Sequence, residues 1–198
     1  MRILVIGGTG TIGRAIVHAL GDAHDVIVAS RTHGPLHVDM ASPDSIRELF
    51  RRTEPVDAVV SAAGQAKWAP LADLADADFA FSLANKLMGQ VNLVRFGQDA
   101  VRDGGSFTLT SGVLSQHPMA GSAAISLVNA GVEAFARAAA LEMPRGIRVN
   151  VVSPPWVSET LTAMGRDPSG GAPAERVASA YLASVTGTRT GDVIAVGV

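Results

Sequence analysis

The run Gly7-Gly8-Thr9-Gly10-Thr11-Ile12-Gly13 constrains this chain more than any other feature. It follows the apolar residues Ile3-Leu4-Val5-Ile6 and precedes Ile12–Leu20, whose apolar residues recur at helical spacing. A strand that passes within a few residues into a helix, through glycines, reads as the start of a βα unit. Without Cβ atoms the backbone turns tightly and a ligand can approach it closely. The start of the helix then offers free N–H groups at the positive end of its dipole. A diphosphate needs this arrangement, with Gly7, Thr9, Gly10, Thr11, Ile12 and Gly13 around it and Gly13 letting the helix pack closely on the strands. The alternative is a strand-to-helix turn with no ligand.

Beyond the turn, short β-branched runs alternate with longer Ala/Leu-rich stretches, the pattern of a parallel sheet covered by helices on both faces. Strands are predicted at Ile3–Ile6, Asp25–Ala29, Leu36–Val38, Ala58–Val60, Phe107–Leu109, Arg148–Val152 and Val193–Val196. Most are continuously apolar, as burial of both faces requires. Helices are predicted at Ile12–Leu20, Asp44–Arg52, Asp76–Val101, Ser122–Glu142 and Pro173–Ser184, with Ser42-Pro43 as cap and first-turn proline of the second. Too few residues separate Ala29 from Leu36 for a crossover helix. Either that helix is missing or the third strand is not a full sheet member. Arg166–Pro173 reads as a loop. No linker divides the 198 residues, so residues 1–198 are expected to form one α/β domain. Its expected form is a Rossmann-type, doubly wound parallel sheet of about seven strands in three layers.

Composition narrows the function. Hydrophobic residues make up 47% and charged residues 17%, which points to a folded core. The net charge of −2 and the absence of any basic run give no field for nucleic acid or an anionic membrane surface. There is no cysteine, hence no disulfide, thiol nucleophile or thiolate metal site. His18, His24, His33, His37 and His117 show no metal-ligand spacing with a carboxylate, so no metal is expected. The first apolar run ends at Gly7, too short for an export or membrane-spanning segment, and a cytoplasmic location is expected.

The end of the second strand bears on the cofactor. A site for NAD places an acid there to accept from the ribose hydroxyls. This chain has Ser30-Arg31-Thr32, and an arginine suits a 2′-phosphate. NADP is therefore favoured over NAD, unless Arg31 is only a solvated loop residue.

At these residues the chain resembles the short-chain dehydrogenase/reductase superfamily, almost end to end. The glycine turn resembles that family's Thr-Gly-x-x-x-Gly-x-Gly, with the glycines here at Gly7, Gly10 and Gly13. By the same likeness Asp39, beside Met40, matches the acid that contacts the adenine amino group. Ser61-Ala62-Ala63-Gly64 resembles the family's Asn-Asn-Ala-Gly, and Ser111 lies where an active-site serine is expected. Arg148-Val149-Asn150-Val151-Val152-Ser153-Pro154 resembles the segment leading to the nicotinamide loop, which continues here through Pro155, Trp156 and Val157.

The resemblance also implies departures. The family's Tyr-x-x-x-Lys pair falls on Ile125 and Asn129. Isoleucine has no proton to give, and asparagine can bond a ribose hydroxyl but carries no charge. The family's relay asparagine falls on Lys86, a cation that can replace the missing lysine or else simply reach from the helix surface to water. Ser111, Lys86 and Asn129 are thus the candidate catalytic set, with Ser111 expected to hydrogen-bond a substrate carbonyl and otherwise to cap a turn. His117 is a weaker proton source, and Tyr181 has no lysine at the required step. The resemblance implies an NADP(H)-dependent oxidoreductase with an atypical active site. The alternative is a degenerate NADP(H)-binding sensor or scaffold. It further implies a homodimer or homotetramer through the two long helices, 76–101 and 122–142.

Overall fold

Burial along the first strand alternates between two layers. In the computed structural model, which describes residues 1–197, β1 is Arg2–Ile6. Its Ile3 and Val5 pack with Ile16 and Leu20 of α1 (Thr11–Gly21) and with Val177 and Tyr181 of α7 (Ala174–Thr186). Leu4 and Ile6 point the other way, into a larger cluster. That cluster takes Ile46 and Leu49 from α2 (Pro43–Arg52), Leu93 and Val94 from α4 (Gly89–Gly97), and Val132 and Ala136 from α5 (Ala123–Glu142). A strand apolar on both faces is what a three-layer arrangement needs. Each large aliphatic side chain so buried contributes about 2 kcal/mol.

Seven parallel strands form one sheet in the order β3-β2-β1-β4-β5-β6-β7. The others are β2 (Asp25–Ser30), β3 (Leu36–His37), β4 (Val56–Ser61), β5 (Val101–Thr110), β6 (Arg148–Ser153) and β7 (Val193–Ala195). The order reverses between β1 and β4. In open sheets of this kind the crevice at that reversal, beyond the carboxyl ends of the strands, receives ligands. Here Gly7 follows β1 and Ala62 follows β4, so the glycine turn sits at the reversal. The α/β class, the parallel sheet and the strand number agree with the sequence reading.

The doubt over the third strand is resolved as expected: the connection from β2 to β3 holds no helix, and β3 is a two-residue edge strand, paired at Ala29–Leu36 and Ser30–His37. Three local expectations are corrected. The helix predicted over Asp76–Val101 is α3 (Asp76–Ser82), a π turn (Leu83–Met88) and α4, followed by a short 3-10 turn; Val101 already belongs to β5. Strand β5 begins six residues before the predicted Phe107, and its register against β4 shifts between Val56 and Ala58. The stretch read as a loop, Arg166–Pro173, contains a 3-10 turn (Pro168–Gly170) and bridges Ala172 to Val157, and before it lies the unexpected short helix α6 (Ser158–Ala163). Helix α5 is long and apolar enough to span a membrane by length and composition, but its Val128, Val132 and Ala136 are buried in the protein.

Candidate functional site

The turn after β1 is built by close approach. Gly7 has φ +80°, and a Cβ placed on Gly13 would lie 2.0 Å from the Gly7 carbonyl oxygen. Only glycine at position 13 lets α1 start against the turn. Gly10 is the N-cap of α1, with no side chain capping the helix and no acid in its first turn. In α2, by contrast, the Ser42 hydroxyl accepts from the Ser45 amide. The amides at the start of α1 therefore carry no side-chain acceptor, and the dipole end is uncompensated, as a diphosphate site requires.

A cleft of about 320 Å³ lies over this turn, lined by Gly7, Thr9, Gly10, Ser30, Arg31, Asp39, Met40, Ala62, Ala63 and Gly64. Ile6, Thr32, Val38, Gln65 and Asn85 also line it and escaped the sequence reading. Thr11 and Gly13 do not line it; Thr11 opens α1, and Gly13 is buried in packing. Arg31 is exposed at the rim, and no carboxylate pairs with it among the described residues. One Asp39 oxygen accepts from the Ala41 amide at 2.9 Å, which fixes the carboxylate at the mouth.

A second, more apolar cleft, the inner one, has a volume of about 210 Å³. It brings together Ile12, Lys86, Ser111, Ile125, Asn129, Pro154, Trp156 and Val157, all singled out in the sequence, with Leu114, Pro155 and Thr160. The π turn gives one polar residue to each cleft, Asn85 to the first and Lys86 to the second. Asn85 accepts from the Gln65 amide at 2.7 Å, and the Lys86 ammonium donates to the Ser111 carbonyl at 3.2 Å. A wider turn of this kind breaks the regular helical register and is frequent at functional sites. Burial pushes the Lys86 ammonium down to about 8. Asn129 donates a long bond of 3.4 Å to the Gly112 carbonyl, and its own carbonyl oxygen is buried without a partner.

Ser111 departs from its expected use. Its hydroxyl donates to Glu133 at 2.8 Å, so that proton is not free for a substrate carbonyl. Glu133 is 4% exposed, accepts also from the Ser115 hydroxyl at 2.6 Å, and has Arg137 at 3.7 Å. The sequence reading missed Glu133. Its position four residues after Asn129 on one helix was the available signal, since both then lie on one face. His117 is exposed and lines neither cleft. Tyr181 is fully buried, its hydroxyl bonded to that of Thr110 and its pKa raised by burial. It belongs to the core.

Trp156 of the inner cleft packs against Trp68, ring centroids 5.8 Å apart and planes tilted by 57°, and the Arg166 guanidinium lies 5.8 Å from the Trp156 ring. A larger hollow of about 570 Å³ lies at the opposite end of the strands, beside Asp57 and Arg148. There the Arg148 guanidinium is engaged by the Ser184 and Val185 carbonyls at the end of α7.

Comparison with known proteins bears on the family and the fold. The family model described as Enoyl-(Acyl carrier protein) reductase matches residues 12–195. The chain is 26% identical to the 3-oxoacyl-[acyl-carrier-protein] reductase of Mus musculus over 179 residues, covering 80% of this chain and 76% of that protein. It is 30% identical to the short-chain dehydrogenase/reductase ATR9 of Stachybotrys chlorohalonatus over 200 residues, covering 84% and 76%. The crystal structure of the protein lin1944 from Listeria innocua superposes with a TM-score of 0.96 at 41% identity, over 100% of both chains. A small-chain dehydrogenase in complex with NADPH superposes with a TM-score of 0.88 at 29% identity, over 99% of this chain and 96% of the other. The chain belongs to the short-chain dehydrogenase/reductase superfamily, whose members are oxidoreductases that use nicotinamide dinucleotides.

Proposed function

We propose that the protein is an NADP(H)-dependent oxidoreductase acting on a small carbonyl compound or the corresponding alcohol, with Lys86 in place of the usual proton-transfer pair. The observation that carries this reading is the alignment of three features along the switch point: the unpaired Arg31, the uncapped start of α1 and the partly buried Lys86 on the wall of the inner cleft. Bound there, the dinucleotide supplies or accepts the hydride. The rest falls to the chain's own residues. The α1 amides hold the diphosphate, Arg31 pairs with the 2′-phosphate, and Asp39 and Met40 border the adenine. Pro154, Trp156 and Val157 wall the inner cleft against water. Lys86, with its ammonium lowered to about 8, is still mostly protonated at neutral pH and delivers a proton to the substrate oxygen. Asn129 bonds a ribose hydroxyl. Ser111, its hydroxyl donating to Glu133, offers lone pairs to the cleft.

Trp68 and Trp156 are the only tryptophans; Trp156 lines the inner cleft and Trp68 packs on it, so their emission reports nucleotide binding there. NADPH is expected to bind at least about tenfold more tightly than NADH, and Arg31→Ala to remove that preference. Equal affinity, or a preference that survives Arg31→Ala, overturns the cofactor assignment. NADPH consumption is then followed on aldehydes, ketones and quinones. Activity unchanged in Lys86→Ala and Ser111→Ala overturns the proposed roles.

A second reading, an NADP(H)-binding sensor without turnover, is favoured by Ile125, which lines the inner cleft and has no proton to transfer. Tight binding with no turnover across the panel selects it. The family likeness, together with exposed Phe81 on α3 and Leu127 on α5, supports a homodimer through these helices. A monomer mass in light scattering removes that part.

A further inference from the structure

The chain contains two lysines, and their surroundings differ in kind. Lys67 is half exposed, 3.7 Å from Asp78 and 5.5 Å from the Phe81 ring, so its charge is doubly compensated. Lys86 lines the inner cleft among Ile12, Val113, Leu114, Ile125 and Trp156. Among the described residues its ammonium donates one hydrogen bond, to a neutral carbonyl, that of Ser111. No carboxylate lies within ion-pair distance of it among the described residues. The nearby acid, Glu133, is taken up by Ser111, Ser115 and Arg137. An apolar wall without a counter-ion raises the fraction of an amine in its neutral form, whose lone pair is nucleophilic.

We propose that Lys86 is a carbonyl-capturing lysine, which forms an imine with small aldehydes and ketones that enter the inner cleft. The amine lone pair attacks the carbonyl carbon, and the C–N bond forms as the C=O π pair moves to oxygen. A proton passes from nitrogen to that oxygen, giving a carbinolamine. The nitrogen lone pair then expels the hydroxyl group, which leaves as water with the second amine proton, and a C=N bond remains. The net change is amine plus carbonyl to imine plus water, with no oxidant or reductant. The apolar walls favour expulsion of the water. Burial that holds the ammonium near 8, against an ordinary 10.5, keeps a usable neutral fraction at neutral pH. Capture itself does not depend on bound nucleotide. It touches the proposed function at one point, because a dinucleotide seated as described covers Lys86.

The test treats the intact protein near neutral pH with propanal and sodium cyanoborohydride, which fixes an imine as a stable propyl-amine, and maps the adducts by peptide mass spectrometry. Lys86 is expected to be labelled at least about tenfold faster than Lys67, because more of its amine is neutral. Lys67→Arg keeps the Lys86 adduct, and Lys86→Met loses it. Equal labelling of both lysines, or labelling confined to Lys67 and the amino terminus, overturns the proposal. Saturating NADPH is expected to slow labelling at Lys86. If labelling proceeds unchanged under NADPH, capture stands and the nucleotide placement fails. If NADPH binds but Lys86 is never labelled, capture fails alone.

Discussion

The Ser111 hydroxyl donates to the Glu133 carboxylate across 2.8 Å, joining the residue that follows β5 to the middle of α5. A buried carboxylate is tolerated only with partners. Glu133 has two hydroxyls and, at 3.7 Å, the Arg137 guanidinium. The pairing decides the chemistry of Ser111: an acceptor toward the cleft, with its proton committed behind it.

Glu133→Ala is expected to destabilise the protein by about 2 to 3 kcal/mol, since it leaves two hydroxyls without their acceptor. Glu133→Gln keeps one acceptor oxygen and should cost less. Urea unfolding of both variants checks this, and equal losses would show that the carboxylate charge, not the hydrogen bonding, matters.

Lys86→Met is expected to stabilise the nucleotide-free protein at neutral pH. The folded pKa, about 8, lies below the ordinary 10.5, so between these values the unfolded chain binds more protons and stability rises with pH. Below 8 the full burial penalty is present, about 3 kcal/mol at 1.36 kcal/mol per pH unit. The advantage of the Met variant should therefore shrink steadily as pH climbs toward 10.5. Denaturation of wild type and variant at pH 7 and above pH 9 measures it. A difference independent of pH would contradict the burial of the amine.

Gly13→Ala is expected to cost about 2 to 3 kcal/mol and to abolish nucleotide binding, because its Cβ would meet the Gly7 carbonyl at 2.0 Å. The amino end of α1 must move away from the turn to admit it. Melting temperature and Trp quenching by NADPH report the two effects separately.

Tyr181→Phe is expected to lose about 1 kcal/mol of stability and nothing in nucleotide affinity. Its hydroxyl is buried with Thr110, which also bonds the Ser61 carbonyl. Any change in the pH profile of turnover would place Tyr181 in the chemistry after all.

Much of the fold was legible because its signals are local. Ile3-Leu4-Val5-Ile6 is apolar on both faces and could only be a central strand. Ser42-Pro43 marked the start of α2 within one residue, because a cap and a first-turn proline act through the adjacent backbone alone. The long helix over Asp76–Val101 misread its own length. Apolar spacing does not distinguish an α turn from the π turn at Leu83–Met88, nor did it see that Val101 pairs with Val56 in the sheet. The strand at Leu36 was legible, whereas the helix α6 was not, since the chain around it is held by the pairing of Val157 with Ala172 rather than by a pattern of its own.

For the site, the sequence by itself determined the turn at Gly7 to Gly13, because the steric demand of a backbone running against a helix start is written in the missing Cβ atoms. Tertiary structure alone decided what Lys86 and Ser111 can do. The charge state of the lysine depends on apolar walls drawn from α1, α5 and the loop after β6. The serine's proton goes to a carboxylate 22 residues along the chain. Burial and hydrogen-bond partnership arise between segments that only folding brings together, and they set a group's reactivity where residue type sets only its range.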